Sequence, residues 1–416
     1  MPIMELQFCR FMEELMFSES DMEVYNNMNV YKSVMSSPSQ SGSGGDVSID
    51  SFEITTLPTK LVYNVGDSLD TTGMVVTATA DGMSGNVKDR CTFSHTQFNT
   101  IGKHTVLVGY HNKQDTFDIL VSEGTIGTLE ETSWSLIKTV ASAGLGDQFW
   151  SIGDTKSVTV NGQIGDSTGG RTLNNVSLKV FIIDFNYRGD NGIYFQCFKD
   201  STGQIDIGID GEFKQSLTDG TKMFNMQHWG SLSFGGWKGC DARYDILGST
   251  DVPPSGYGAT TTSAREGYDA TSTCATNPVQ NTFMSALPSD LRSVIAPWTI
   301  WTDNVGLGYD TSHVTTSVDY LPLIAEYEML GTRNLANEGE QEHQSRFAYY
   351  VNGGSLAKCK ISYSVQRSNF LSRSIAAGSR PTTEASSFMC YSMYDSIGQI
   401  PADNCNHLLC PAFRVA

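Results

Sequence analysis

A chain of 416 residues is long for a single ordinary core, and its formal charge of −18, from 45 acidic against 27 basic side chains, sets it against phosphate backbones and anionic membranes. Charged residues make up only 17% of the chain while Gly numbers 40, and short Val, Ile, Thr and Tyr runs broken by Gly, Asn and Asp favour β structure with few helices. Nine cysteines, an odd number with no Cys-x-x-Cys pair, point to free buried thiols and not to zinc or redox work.

Residues 1–35 are expected to form an N-terminal helical docking segment. Met4, Phe8, Phe11, Met12 and Leu15 fall near helical spacing over 4–17, with acidic residues mostly opposite. An isolated helix of that length is marginal in water, so the stripe needs a partner surface. Glu5, Arg10, Glu13 and Glu14 interrupt any apolar core of the kind a signal peptide or a bilayer span requires, so the expectation is a protein made in a cytosol without membrane insertion. Residues 36–46 (SSPSQSGSGGD) are a Ser/Gly linker with nothing to bury.

From 47 to 124 the pattern changes to short alternating strands with turn signals, which predicts a β-sandwich. Gly66-Asp67 and Asp81-Gly82 supply turns, and Val75, Ala78, Val106, Val108 and Phe117 are expected to face inward. The motifs Pro58-Thr59-Lys60, Tyr63-Asn64-Val65-Gly66-Asp67-Ser68-Leu69-Asp70, Gly73-Met74-Val75-Val76 and Gly102-Lys103-His104-Thr105-Val106 resemble a bacterial immunoglobulin-like domain (group 3 type) of surface proteins. The resemblance implies a spacer or weak sugar binder, with no catalysis.

Residues 125–416 are too many for another small sandwich. An amphipathic helix is expected over about 133–142, an apolar strand over 176–186, and a second amphipathic helix over about 281–295. The order Phe149-Trp150-Ser151-Ile152-Gly153-Asp154, Ile182-Ile183-Asp184-Phe185-Asn186, Trp237-Lys238-Gly239-Cys240-Asp241-Ala242-Arg243, Phe347-Ala348-Tyr349-Tyr350 and Pro411-Ala412-Phe413-Arg414-Val415 resembles a family of unassigned function from gut bacteria and their phages. That family is similar to the C-type lectin fold. The resemblance implies a mostly β chain with some α: an immunoglobulin-like sandwich, then an α+β C-type-lectin-like domain whose ends lie together and whose long loops carry the binding face. The Gly/Ser/Thr-rich stretch 248–280 fits such a loop.

Several motifs invite chemistry and have plainer readings. Cys405 and Cys410 share the separation of the copper-binding pair of the similarly folded formylglycine-generating enzymes, but lie directly before the final strand, where core packing suits them better. Asp200, Asp206, Asp210 and Glu212 could surround calcium, yet match no twelve-residue loop and read as a solvated strand edge. Arg188-Gly189-Asp190 reads as a polar turn and not an integrin tripeptide. Glu326 and Glu328 are a carboxylate pair that spacing alone cannot make a glycosidase. Neither a His-x-x-x-His nor a Gly-x-Ser-x-Gly elbow occurs, so no enzyme, cofactor or metal is expected.

The stretch from Phe370 to His407, rich in Ser, Tyr, Asn and Met, has paratope-like composition. Tyr391, Met393, Tyr394, Asp395 and Asn404 are the candidate ligand contacts, with Arg373, Pro411, Phe413 and Arg414 holding the frame. The expected protein is thus a phage virion component assembled in the host cytoplasm and exposed on the particle. Its expected partners are other virion proteins through the N-terminal segment and a host surface glycan or protein, with no nucleic acid. It is expected to be a homo-oligomer, for which a trimer is one option.

Overall fold

The computed structural model describes residues 48–165, 170–210, 224–226, 236–251, 273–303, 311–353, 360–363, 369–376, 387–391, 397–401 and 407–416. The chain divides into two compact units between Gly124 and Thr125. Among the described residues no helix is long and apolar enough to cross a membrane.

The first unit is a two-sheet sandwich. One sheet orders β1 (Ser51–Thr56), β3 (Val75–Ala80) and β4 (Met83–Asn86). The other orders β2 (Val62–Asn64), β7 (Lys113–Ser122), β6 (Gly102–Tyr110) and β5 (Thr92–Phe93). Asp81 and Gly82 form the two-residue loop between Ala80 and Met83 with φ of 49° and 74°, the positive values that let a short loop follow strand twist. Tyr63, Met74, Val76, Phe98, Val106, Val108, Phe117, Ile119 and Val121 fill the space between the sheets. Val106, Val108, Ala78 and Phe117 are buried as expected, but Val75 is only half-buried and Val76 takes the core position. Strand side chains alternate, so Val75 and Ala78, three residues apart, cannot both face inward.

The second unit is built on a five-stranded antiparallel sheet of order β12 (Ile295–Ala296), β19 (Ala412–Val415), β10 (Ile193–Lys199), β9 (Arg171–Phe185) and β8 (Thr155–Ile164). Every residue of β10 is buried, as for a strand covered on both faces. Helix α1 (Trp134–Ser142) covers one face. It begins where Ser133 accepts a hydrogen bond from the Leu136 N–H, and it buries Trp134, Ile137, Val140 and Ala141. The Trp134 ring meets Phe195 of β10 at 5.7 Å and Phe413 of β19 at 6.4 Å. The unit's first helix therefore rests on its last strand.

Smaller elements follow: β11 (Ile207–Gly208) beside β15 (Ile361–Ser362), the hairpin of β13 (Trp298–Asp303) and β14 (Val314–Asp319), and β16 (Phe370–Ile375), β17 (Ser387–Tyr391) and β18 (Ile397–Pro401). The helix expected over 281–295 is two short ones, α2 (Phe283–Ala286) and α3 (Ser289–Arg292). Pro288 pushes Leu287 into extended backbone, at φ −72° and ψ 148°, and ends the first. Further helices are α4 (Glu326–Leu330), α5 (Glu338–Gln341) and α6 (Ala348–Asn352).

Candidate functional site

Strand β10 alternates its side chains: Phe195 meets Trp134 of α1, while Tyr194 meets Tyr187 and Trp298. On the Tyr194 side a cleft of about 230 Å³ opens, lined by Tyr187, Arg188, Asp190, Tyr194, Trp298, Trp301, Glu328, His343, Gln344 and Arg373 among others. Aromatic pairs line it: Trp298 stacks on Tyr194 at 4.8 Å and Trp301 lies flat against His343 at 3.7 Å, while Tyr187 packs on the buried Phe347 at 4.5 Å.

The turn after β9 fixes the near side. Asn186 and Arg188 adopt left-handed backbone, with φ of 48° and 55°, so the chain reverses within four residues. The Arg188 guanidinium donates to the carbonyls of Gln344 at 3.1 Å and Glu342 at 3.3 Å, and the Tyr187 hydroxyl donates to the Ser345 carbonyl at 2.8 Å. The Arg188-Gly189-Asp190 tripeptide is thus a structural turn that holds the 342–345 segment.

An ion pair underlies the cleft. Arg373 donates to both carboxylate oxygens of Glu328 at 2.6 Å, and all but about 3% of either side chain is buried. Burial works against the Arg373 charge, but Glu328 beside it holds the guanidinium above its ordinary range. Nearby Glu340 accepts from the Asp303 N–H at 2.8 Å and the Ser374 hydroxyl at 2.7 Å; burial pushes its carboxyl up to about 8. Glu326 is spent differently, accepting backbone N–H bonds from Asn334, Leu335 and Ala336. The two carboxylates of the 326–328 pair thus brace separate pieces of backbone and side chain.

Among the described residues, three buried polar atoms of cleft residues have no hydrogen-bond partner: Trp298 Nε1, Arg373 Nε and Gln344 Oε1. Leaving a buried polar group unpaired costs about 1–3 kcal/mol. All three atoms are closed off from solvent, so what the cleft presents to a small ring-bearing molecule is its aromatic rings.

The other sequence candidates fall elsewhere. Met4, Phe8, Phe11, Met12 and Leu15 lie outside the described residues, as do Met393, Tyr394, Asp395, Asn404, Cys405 and Glu212. Tyr391 ends β17, its backbone paired with Phe370 and Ile397. Cys410 is buried, and burial pushes its thiol up to about 12. The acidic cluster disperses: Asp200 caps the turn at 200–205, Asp206 is buried between two lysines, and Asp210 pairs with Arg171 at 3.1 Å. For Asp206 the solvated-edge reading is therefore corrected. Among the described residues no group of three or more His, Cys, Asp and Glu is placed to hold a metal ion.

The sequence reading missed Trp298 and Trp301, although two of six tryptophans within four residues of one strand was the available signal. Residues 56–121 match the bacterial Ig-like domain (group 3) family, so the first unit carries a domain of that type. No curated protein matches the chain.

Proposed function

We propose that this is a non-enzymatic attachment protein of a phage virion, in which the Ig-like domain is a stalk and the second unit, a C-type-lectin-like domain, grips a host-surface glycan. The observation that carries the reading is the aromatic cleft, in a chain that also bears an Ig-like domain. Tryptophan and tyrosine faces bury the apolar side of a sugar ring, while fixed donors and acceptors select its hydroxyl groups. The placement of helix α1 on strand β19 supports the lectin-like reading, because that fold brings its two ends together. Met4, Phe8, Phe11, Met12 and Leu15 would dock the chain to other virion proteins. Tyr391, Met393, Tyr394, Asp395 and Asn404 would extend the contact face beyond the cleft. Several copies per particle would turn weak single contacts into firm attachment.

The test is binding of the labelled full-length chain to a panel of gut bacteria and to an array of their surface glycans. Saturable binding that falls at least about tenfold for Trp301→Ala is expected, as for loss of a central aromatic anchor. Absence of binding to every cell and glycan would leave a purely structural virion component in its place.

A further inference from the structure

A second feature of the same unit is independent of that reading. Lys199 ends β10, Asp206 precedes β11, and the two face each other across an antiparallel bridge that closes the 200–205 turn. Lys360 precedes β15, which lies parallel to β11 with Ile207 opposite Ile361. This topology delivers two ammonium groups to one carboxylate. Lys199 Nζ lies 2.5 Å from Asp206 Oδ1 and Lys360 Nζ lies 2.8 Å from Oδ2, with side-chain exposures of 9%, 1% and 7% for Lys199, Lys360 and Asp206.

The surroundings are aromatic. Phe181 lies 4.6 Å from Lys199 Nζ and 5.2 Å from Lys360 Nζ, and the rings of Tyr349, Tyr350 and Phe370 complete the cage. The Tyr349 hydroxyl accepts from Lys199 at 2.9 Å and lies 3.2 Å from either Asp206 oxygen, while Gln196 Oε1 accepts from Lys360 and from the Tyr350 hydroxyl. None of these groups carries a balancing negative charge. Burial pushes the phenols of Tyr349 and Tyr350 and the thiols of Cys197 and Cys410 upward, so they are neutral. Among the described residues, two cations and one anion in a dry cage leave one positive charge uncompensated, the arrangement that a protein interior tolerates least.

We propose that Lys199 and Asp206 condense to an intramolecular amide, a covalent cross-link between the end of β10 and the start of β11. The step requires the Lys199 nitrogen as a free amine, with one proton passed from the cage to solvent. Burial opposes the Lys360 ammonium, but Asp206 outweighs it and keeps Lys360 charged; burial likewise opposes the Asp206 carboxylate, which Lys360 beside it keeps ionised. The amine of Lys199 then attacks Asp206 Cγ, and the new C–N bond forms as a C–O bond breaks. Lys360 gives one proton and the attacking amine another to the departing oxygen, which leaves as water. A neutral amine, a carboxylate and an ammonium thereby become an amide, a neutral amine and water, and the cage ends without ions. Held reactants of this kind react as though present at about 10⁵ M or more, which is what allows an amide to form without an activated acyl group.

The experiment is mass spectrometry of the purified full-length chain. An intact mass about 18 Da below that of the sequence is expected, one water lost per chain. Digestion with trypsin should give the peptide 189–214 uncut at Lys199 and carrying the whole deficit, with no backbone fragments separating positions 199 and 206. Chain kept in urea from the moment of release should show the full mass, and Asp206→Ala should restore both mass and cleavage. The full mass in folded wild-type protein overturns the proposal without recourse to any variant. A deficit that hydroxylamine reverses, with normal cleavage after Lys199, identifies a cyclised aspartate and overturns it too. A branched peptide joined through Lys360 overturns the assignment of Lys199 as the nucleophile.

Discussion

The sandwich and the second unit bury different things. Between the sheets of the sandwich lie nine apolar or aromatic side chains, each worth about 1.5–3 kcal/mol when taken from water. Inside the second unit, Lys156, Lys199, Asp206, Arg243, Asp319, Glu328, Glu340, Lys360 and Arg373 are all buried. Arg243 pairs with Asp319 at 2.6 Å, and Lys156, which forms no salt bridge among the described residues, donates to the carbonyls of Leu129, Glu130 and Thr132. Apolar burial is graded and forgiving, because a smaller side chain forfeits only its own contacts and leaves a cavity. A buried charge is conditional on its partner, and removing one member strands the other.

That contrast can be broken most sharply at Arg373. Replacement of Arg373 by Met leaves the Glu328 carboxylate buried without its bidentate partner, and a loss of about 3–5 kcal/mol is expected. All six tryptophans fall between residues 134 and 301, so their fluorescence during denaturation follows the second unit alone. Its midpoint should fall steeply, while the Tyr63-bearing sandwich unfolds as before. The converse variant is Met74→Ala, which hollows the sandwich and should cost about 3 kcal/mol there. Tryptophan fluorescence should not register it. A shift of both transitions by either variant would undo the distinction between the two interiors.

A smaller effect sharpens it. Glu340, its carboxyl pushed up to about 8, is favoured in its protonated form by the fold. Its contribution is complete below the ordinary Glu range and drains away as pH rises through 8. His407, which burial pushes down to about 4, works in the opposite sense: its contribution is complete above its ordinary 6.5 and is lost as pH falls. Raising the pH from about 6.5 to about 8.5 carries Glu340 through its folded-state range while folded His407 stays neutral, and the tryptophan-reported midpoint should decline across that interval. Glu340→Gln, neutral throughout, should flatten the decline. A slope unchanged in Glu340→Gln would remove Glu340 as its cause.

The sandwich was legible because its signals are local. Alternation, Gly66-Asp67 and Asp81-Gly82 lie within each strand or turn, and the one slip, Val75 for Val76, was a parity error inside a single strand. In the second unit the local signals again held, for helix α1 and for β9. What could not be read is what closes only through space. Arg373 finds Glu328 across 45 residues, and Lys360 finds Asp206 across 154. The cleft draws its wall from β10, β13 and the 342–345 segment, and no spacing rule relates those stretches. Asp206 misled for the same reason: with Asp200 and Asp210 it looks like a wet acidic edge until Lys360 arrives from elsewhere in the chain.

Strand β19 sits between β12 and β10, in the interior of its sheet. As the chain emerges from the ribosome, β8, β9 and β10 can pair as they appear, but the free side of β10 must wait for more than 200 further residues before residues 412–415 arrive to cover it. Throughout that interval an apolar strand edge is open to the wrong neighbour, so the nascent second unit is a natural client for chaperones. The sandwich, complete by residue 122, can finish folding while its successor is still being made.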